Sequence, residues 1–301
     1  MPLLRAEAEK LSNNTLLQGV VEEIIDRDAM FAMLPFQRVN SKALVYNREN
    51  TLAGADWLNP NETINEEAST FTEVTAKLRI LAGDVDVDKF LIETMGDTND
   101  QVVTQIQAKA KGVGRIFHAQ VANGDATANP RAFDGLPNLV DPSMTFAAGV
   151  NGGAVTLEML DQLKDMVKLG ADALVMRAGT WRAVRTLLRA MGGNTAMHVE
   201  IENFGVPVPA FDGLPVIVND FLAGDEDQGT SVGNTCSIYA ARFNEADGLH
   251  GIYGGDSAGM RVENIGTVQN KDSYRFRMKW YAGLVLKSTQ SLARLRGVTN
   301  I

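Results

Sequence analysis

Residues 43–76 read ALVYNRENTLAGADWLNPNETINEEASTFTEVTA, and the reading of this stretch decides the architecture. Its ends, Ala43-Leu44-Val45-Tyr46 and Phe71-Thr72-Glu73-Val74-Thr75, are strand pieces rich in β-branched and aromatic residues. Between them lie mostly Asn, Glu, Asp, Thr, Gly and Pro, about 25 residues with no continuous apolar periodicity, more than a compact domain leaves unstructured without a functional cause. Yet this polar segment carries Leu52, Trp57, Leu58, Ile64 and Phe71. Run out and back as a two-stranded ribbon at 3.3 Å per residue, it reaches roughly 50 Å. Large apolar groups on a polar excursion with that reach favour contact with another molecule over folding back.

Working outward, Ser12, Asn13, Asn14 and Thr15 are N-cap candidates before Leu16, Leu17, Val20, Val21, Ile24 and Ile25, one apolar stripe on an N-terminal helix. Downstream, Lys77-Leu78-Arg79-Ile80-Leu81 and Val85-Asp86-Val87-Asp88 continue as strand. Asp97-Thr98-Asn99-Asp100 then opens a long helix whose apolar residues Val102, Ile106, Ala110, Val113, Phe117 and Val121 recur every three or four positions. The helix is predicted to stop at Asn123-Gly124-Asp125 after roughly 37 Å, with Gly112 and Gly114 weakening its middle.

Small residues and glycines from Ala147 to Gly153 mark a domain boundary. Beyond it Thr156 is predicted to cap a helix with Leu157, Leu160, Leu163, Met166 and Val167 inside; Ala173-Leu174-Val175-Met176 is a buried strand; and Thr180 is predicted to start a second helix around Trp181, Val184, Leu187, Leu188 and Met191. Leu214–Val218 and Cys236–Ala240 add strands, with an acidic, Gly-rich turn from Ala223 to Asn234 between them. The pentapeptide Phe-Asp-Gly-Leu-Pro occurs at 133–137 and at 211–215, read as an Asp-Gly turn into a strand used twice. The final 45 residues are strand-like: Met260–Glu263, then Tyr274–Lys287, then Leu292–Val298. In the long strand Tyr274, Phe276, Met278, Trp280, Ala282, Leu284 and Leu286 alternate with a face that begins Arg275, Arg277, Lys279.

Composition narrows the function classes. With 28 Lys and Arg against 37 Asp and Glu, the net charge of −9 repels phosphate backbones and anionic membranes. No apolar run approaches a membrane span and the N-terminus lacks a signal peptide, so a soluble protein made in the cytoplasm is expected. The single Cys236 excludes an internal disulfide and reads as a small buried hydrophobe. His118, His198 and His250 have no HExxH or CxxC partner, and there is no GxSxG, P-loop or properly placed GxGxxG. Asp84, Asp86 and Asp88 resemble the opening of a calcium loop, but Lys89 stands where the turn glycine belongs, so a strand with one acidic face is the better reading. No metal, cofactor or catalytic residue is assigned. For Arg275, Arg277 and Lys279, pairing with carboxylates of a neighbouring element or subunit is weighed above DNA phosphates.

The order of parts then resembles the major capsid proteins of tailed bacteriophages, an α+β class known as the Hong Kong 97 fold. The resemblance is strongest in Leu44-Val45-Tyr46-Asn47-Arg48-Glu49, in Asn123-Gly124-Asp125 with Phe133-Asp134-Gly135-Leu136, in Thr156-Leu157-Glu158-Met159-Leu160-Asp161 and in Arg277-Met278-Lys279-Trp280-Tyr281. It implies an N-terminal arm over 1–40, an extended β-hairpin loop over 41–80, a peripheral domain over 81–150 and 257–301 with a spine helix near 98–123, and an axial αβ domain over 151–256. It implies a non-enzymatic chain assembling with itself as pentamers and hexamers into an icosahedral head shell around double-stranded DNA. A separate scaffolding protein, a portal protein at one vertex and a decoration protein are its implied partners, with assembly in the host bacterial cytoplasm and no membrane. Trp57, Leu58, Ile64, Phe71, Arg275, Arg277 and Lys279 are the candidate inter-subunit contacts. An encapsulin-type nanocompartment is the alternative, and a cytosolic αβ enzyme the second.

Overall fold

The computed structural model describes residues 30, 33–89, 98–190, 197–200, 207–255 and 259–301. The chain opens with β1 (Phe36–Val39), β2 (Ala43–Thr51), β3 (Thr70–Lys77) and β4 (Arg79–Asp88). Helix α1 (Thr98–Asn123), short α2 (Leu136–Leu139) and β5 (Thr145–Ala147) follow. Next come α3 (Leu157–Met166), β6 (Ala173–Met176), α4 (Ala178–Ala190), β7 (Met197–Glu200), β8 (Pro207–Phe211) and β9 (Leu214–Val218). The chain ends with β10 (Glu226–Gln228), β11 (Ser231–Ala241), β12 (Leu249–Gly254), β13 (Arg261–Thr267), β14 (Ser273–Leu286) and β15 (Leu292–Val298). The N-terminal helix expected around 12–25 lies outside the described residues.

The 14-residue β14 organises one sheet because its alternation offers an apolar face along its full length. β4 runs antiparallel along one edge from Ser273↔Asp88 to Ala282↔Arg79. β13 and then β12 share the other edge, and β1 joins β12 in parallel. The second sheet has the order β5-β15-β11-β6-β9-β8-β7, with β10 added on β11.

The strands of the two sheets are interleaved along the chain. β12, in the segment expected to be axial, pairs with β14, while β15, in the tail expected to be peripheral, sits between β5 and β11. A single cut at 256/257 therefore does not follow the sheets. One large buried cluster also spans both of these sheets. Ile106, Val113 and Phe117 of α1 belong to the same cluster as Met278 and Trp280 of β14, and as Leu160, Val175, Ile238 and Leu295 around the second sheet. Phe117 stacks on Trp280, and Phe133 lies 5.4 Å from Phe117 between ring centroids.

Local chemistry explains several boundaries. Thr156 accepts a 3.2 Å bond from Met159 N and caps α3. Thr180 does not start α4: the helix begins at Ala178, and the buried Thr180 hydroxyl donates instead to Asn300 O at 2.7 Å. The turn expected at 223–234 contains β10, whose Glu226 pairs with Thr235. Helix α1 runs unbroken through both of its glycines.

The repeated pentapeptide folds two ways. At 211–215 Asp212 and Gly213 both adopt positive φ, 48° and 79°, in the two-residue turn joining β8 to β9. At 133–137 it leads into helix α2 instead of a strand. There the Asp134 carboxylate accepts from Ala126 N at 2.8 Å, and a Cβ on Gly135 would stand 2.4 Å from Gly124 N, so contact with the end of α1 dictates the backbone.

Candidate assembly surface

The ribbon predicted at 43–76 is present as an isolated two-stranded sheet. β2 and β3 pair antiparallel from Ala43↔Lys77 to Glu49↔Phe71, with a register shift before Thr51↔Thr70. The period of two points Leu44, Tyr46 and Ala76 at the body, where they pack with Leu78 against buried Val39, Ile252 and Val285. The base is also clamped by polar bonds. Tyr46 Oη donates to Leu286 O at 2.7 Å, while Arg48 donates to Lys287 O at 2.9 Å and to Leu286 O at 2.8 Å. Burial pushes the Tyr46 phenol up, and the Arg48 charge partly opposes that shift.

Beyond the base the ribbon stands uncovered among the described residues: 49–68 are all exposed. The two sides are held together by side-chain bonds, Ser69 Oγ accepting from Ala53 N at 3.0 Å and Glu67 Oε2 from Gly54 N at 2.6 Å. The tip turns through Pro60 and Asn61, the latter at φ 71°. The Glu62 carboxylate accepts from Asn59 N and Nδ2 at 2.7 and 2.9 Å, which lowers its pKa. Trp57 is fully exposed at 102%, and Leu52, Leu58, Ile64 and Phe71 are exposed as well. From 49 to 70 the sequence holds Glu49, Asp56, Glu62, Glu66 and Glu67 and no Lys or Arg. The excursion therefore presents an indole and aliphatic groups within a wholly acidic frame.

The basic strand face is engaged within the chain. Register places Arg275 opposite Asp86 and Arg277 opposite Asp84. Both pairs are bidentate, with contacts of 2.7 Å for the first and 2.8 Å for the second, and Lys279 meets Glu263 at 2.6 Å. The guanidinium beside each Asp holds its carboxyl below the usual range. Arg275, Arg277 and Lys279 thus stand with their charges met by Asp86, Asp84 and Glu263 of the same subunit. The shared i, i+2 spacing of 84/86 and 275/277 was the signal that could have matched them in advance.

One surface was missed by sequence reasoning. Between β4 and α1 lies a groove of about 210 Å³ lined by Ile80, Leu81, Ile116, Phe133, Arg79 and Arg131 among others, with no acidic residue in its lining. Ile80 is 73% and Ile116 56% exposed. Ile116 sits one position off the buried stripe of Val113 and Phe117, and that offset was its only trace in the sequence. Among the described residues no cluster of three His, Cys, Asp or Glu has metal-holding geometry, and no helix is long and apolar enough to cross a membrane. Cys236 and His250 are fully buried, and His118 packs edge-on to Phe221.

No known family and no curated protein sequence matches the chain. Solved structures do. A chain of the holo-SrpI encapsulin complex from Synechococcus elongatus superposes with a TM-score of 0.67 at 18% identity, over 89% of this chain and 86% of that one. The capsid of a native GTA particle gives 0.65 at 17% identity, over 90% of each chain. A structure of the Microbacterium phage Oxtober96 gives 0.62 at 15% identity, again over 90% of each. At these identities the likeness is one of fold, and it covers the α+β architecture as a whole.

Proposed function

With the Hong Kong 97-type capsid fold as its architecture, we propose that this chain is the major capsid protein of a tailed bacteriophage, assembling with itself as pentamers and hexamers into an icosahedral head around double-stranded DNA. The observation that carries this reading is the clamped ribbon with an uncovered tip. A monomeric protein gains little from holding about 20 residues exposed, clear of the other described residues, whereas a repeated tile gains an interface at every copy. Many modest overlaps then add up to a stable shell without disulfides. The net charge of −9 fits a container that does not grip its contents.

In this reading the chain is structural and not an enzyme, and it resides in the virion after assembly in the host cytoplasm. A separate scaffolding protein, a portal at one vertex and an external decoration protein complete its partners. The second reading is an encapsulin-type shell, favoured by the likeness to the Synechococcus encapsulin chain. Electron microscopy of the purified full-length protein is expected to show closed shells or capsomer rings. A small, monodisperse oligomer at every concentration would overturn the proposal and return the chain to the class of cytosolic αβ enzymes. Particles recovered from the natural host separate the other two: DNA inside supports the phage head, and enclosed protein supports the nanocompartment.

A further inference from the structure

Arg242, Arg275, Arg277, Lys279 and Arg294 each meet a carboxylate of the same chain. Arg48, Lys77 and Arg79 do not: among the described residues none of the three forms an ion pair. They stand together around a cavity of about 410 Å³ beneath the ribbon base, roofed by β2 and β3 and closed by α2 and the end of β14. The one carboxylate in its lining, Asp134, accepts from Ala126 N at 2.8 Å. Arg48 gives Nε and Nη2 to the Lys287 and Leu286 carbonyls, which are dipoles and leave its charge uncancelled. Three cations against one carboxylate thus line a concave site in a chain whose net charge is −9. We propose that this cavity binds a small phosphate-bearing molecule, its oxyanion held by Arg48, Lys77 and Arg79.

Holding like charges together costs electrostatic energy, and concave protein walls focus the field that a bound anion relieves. Planar guanidinium groups match the paired oxygens of a phosphate, and the Lys77 ammonium adds a point charge. The volume lies in the range of small-molecule sites, and Leu139 and Val285 in the lining offer apolar surface to the body of an organic phosphate. The ribbon contributes Arg48 and Lys77, while Arg79 and Asp134 belong to the body. A bound molecule therefore bridges the two and fastens the ribbon at its base. Such binding does not depend on the shell reading above.

Isothermal titration of the purified full-length chain with pyrophosphate tests the site, with sodium chloride of equal ionic strength as the blank. Saturable binding is expected, weakened about tenfold or more by Lys77→Gln with Arg79→Gln. The control pair Lys168→Gln with Arg189→Gln removes the same charge from exposed positions outside the lining and should leave binding unchanged. No saturable binding, or equal loss from both pairs, would overturn the site. Titration with AMP separates the sources: binding at least as tight as that of pyrophosphate assigns an organic phosphate, and weaker binding assigns the inorganic ion. Binding of double-stranded DNA with uptake of neither small anion would also overturn the site and set these cations against a nucleic-acid backbone instead. Should the Lys77 and Arg79 variant not fold, the unmodified chain decides. Saturating pyrophosphate should slow protease cleavage within 49–69 severalfold, and cleavage at an unchanged rate counts against the bridge.

Discussion

Phe117 of α1 and Trp280 of β14 stack with ring centroids 4.5 Å apart and planes inclined by 34°. Phe36 of β1 lies 6.4 and 6.1 Å from these two rings, so one aromatic group ties the long helix to the first and the longest strands of its sheet. Phe117→Ala is therefore expected to lower the unfolding free energy of the unassembled chain by about 3–5 kcal/mol, the usual loss for deleting a buried aromatic. Denaturant titration measures it, and a loss below about 1 kcal/mol would mean the group is not a keystone of the core.

The ribbon base depends on two side chains reaching backbone carbonyls at the end of β14. Replacing Tyr46 by Phe and Arg48 by Ala leaves Leu286 O and Lys287 O without those donors. The doubly substituted chain should be cut faster by protease within 49–69, while the global unfolding midpoint moves little. Equal cleavage rates would show that the small apolar cluster beneath the ribbon holds it unaided.

His250 is fully buried in β12, with Nδ1 near Gly248 O and, among the described residues, no hydrogen-bond partner at Nε2. Burial, aided by the Lys287 charge, brings its pKa from 6.5 down to about 4. The unfolded chain then binds a proton before the folded chain does, so stability declines as pH falls from about 6.5 to about 4. The pairs on Asp84 and Asp86 weaken only at more acid pH, below the ordinary carboxylate value of 3.8. His250→Leu should flatten the first phase and leave the second. A pH profile unchanged by that substitution would assign the acid sensitivity elsewhere.

Two glycines should respond in opposite directions. A Cβ at Gly112 meets open space within a helix, so Gly112→Ala is expected to stabilise by about 1 kcal/mol. Gly213 holds φ 79° in the β8–β9 turn, and Gly213→Ala should destabilise by about 1–2 kcal/mol. Thermal unfolding of the two variants side by side checks both signs.

Removal of residues 50–70 takes away the uncovered end of the ribbon but none of the buried core. The truncated chain is expected to keep its far-ultraviolet circular dichroism and lose assembly. Normal shells from it would rule out the ribbon as an assembly element.

Much of this was legible because it is local. The period-two pattern placed β14 to within one residue at each end, and the three- and four-residue spacing placed α1 over the residues it occupies. Trp57, Leu58, Ile64 and Phe71 could be singled out since apolar groups in a polar run need no neighbours to be noticed. The groove at Ile80 and Ile116 was not legible, because its two walls are 36 positions apart in the chain and each looks ordinary alone.

By itself, then, the sequence determined the helices α1 and α3, the strands β2, β3, β6, β9 and β14 with their apolar faces, and that a long polar ribbon leaves the body. Those properties depend on residues within a few positions of one another. Tertiary structure alone decided that β12 joins β14 while β15 joins β11, that Arg275 and Arg277 meet Asp86 and Asp84, and that one Phe-Asp-Gly-Leu-Pro becomes a hairpin turn while the other enters a helix. Each of those outcomes is set by strand register and close packing between distant segments, which a local pattern permits but cannot select.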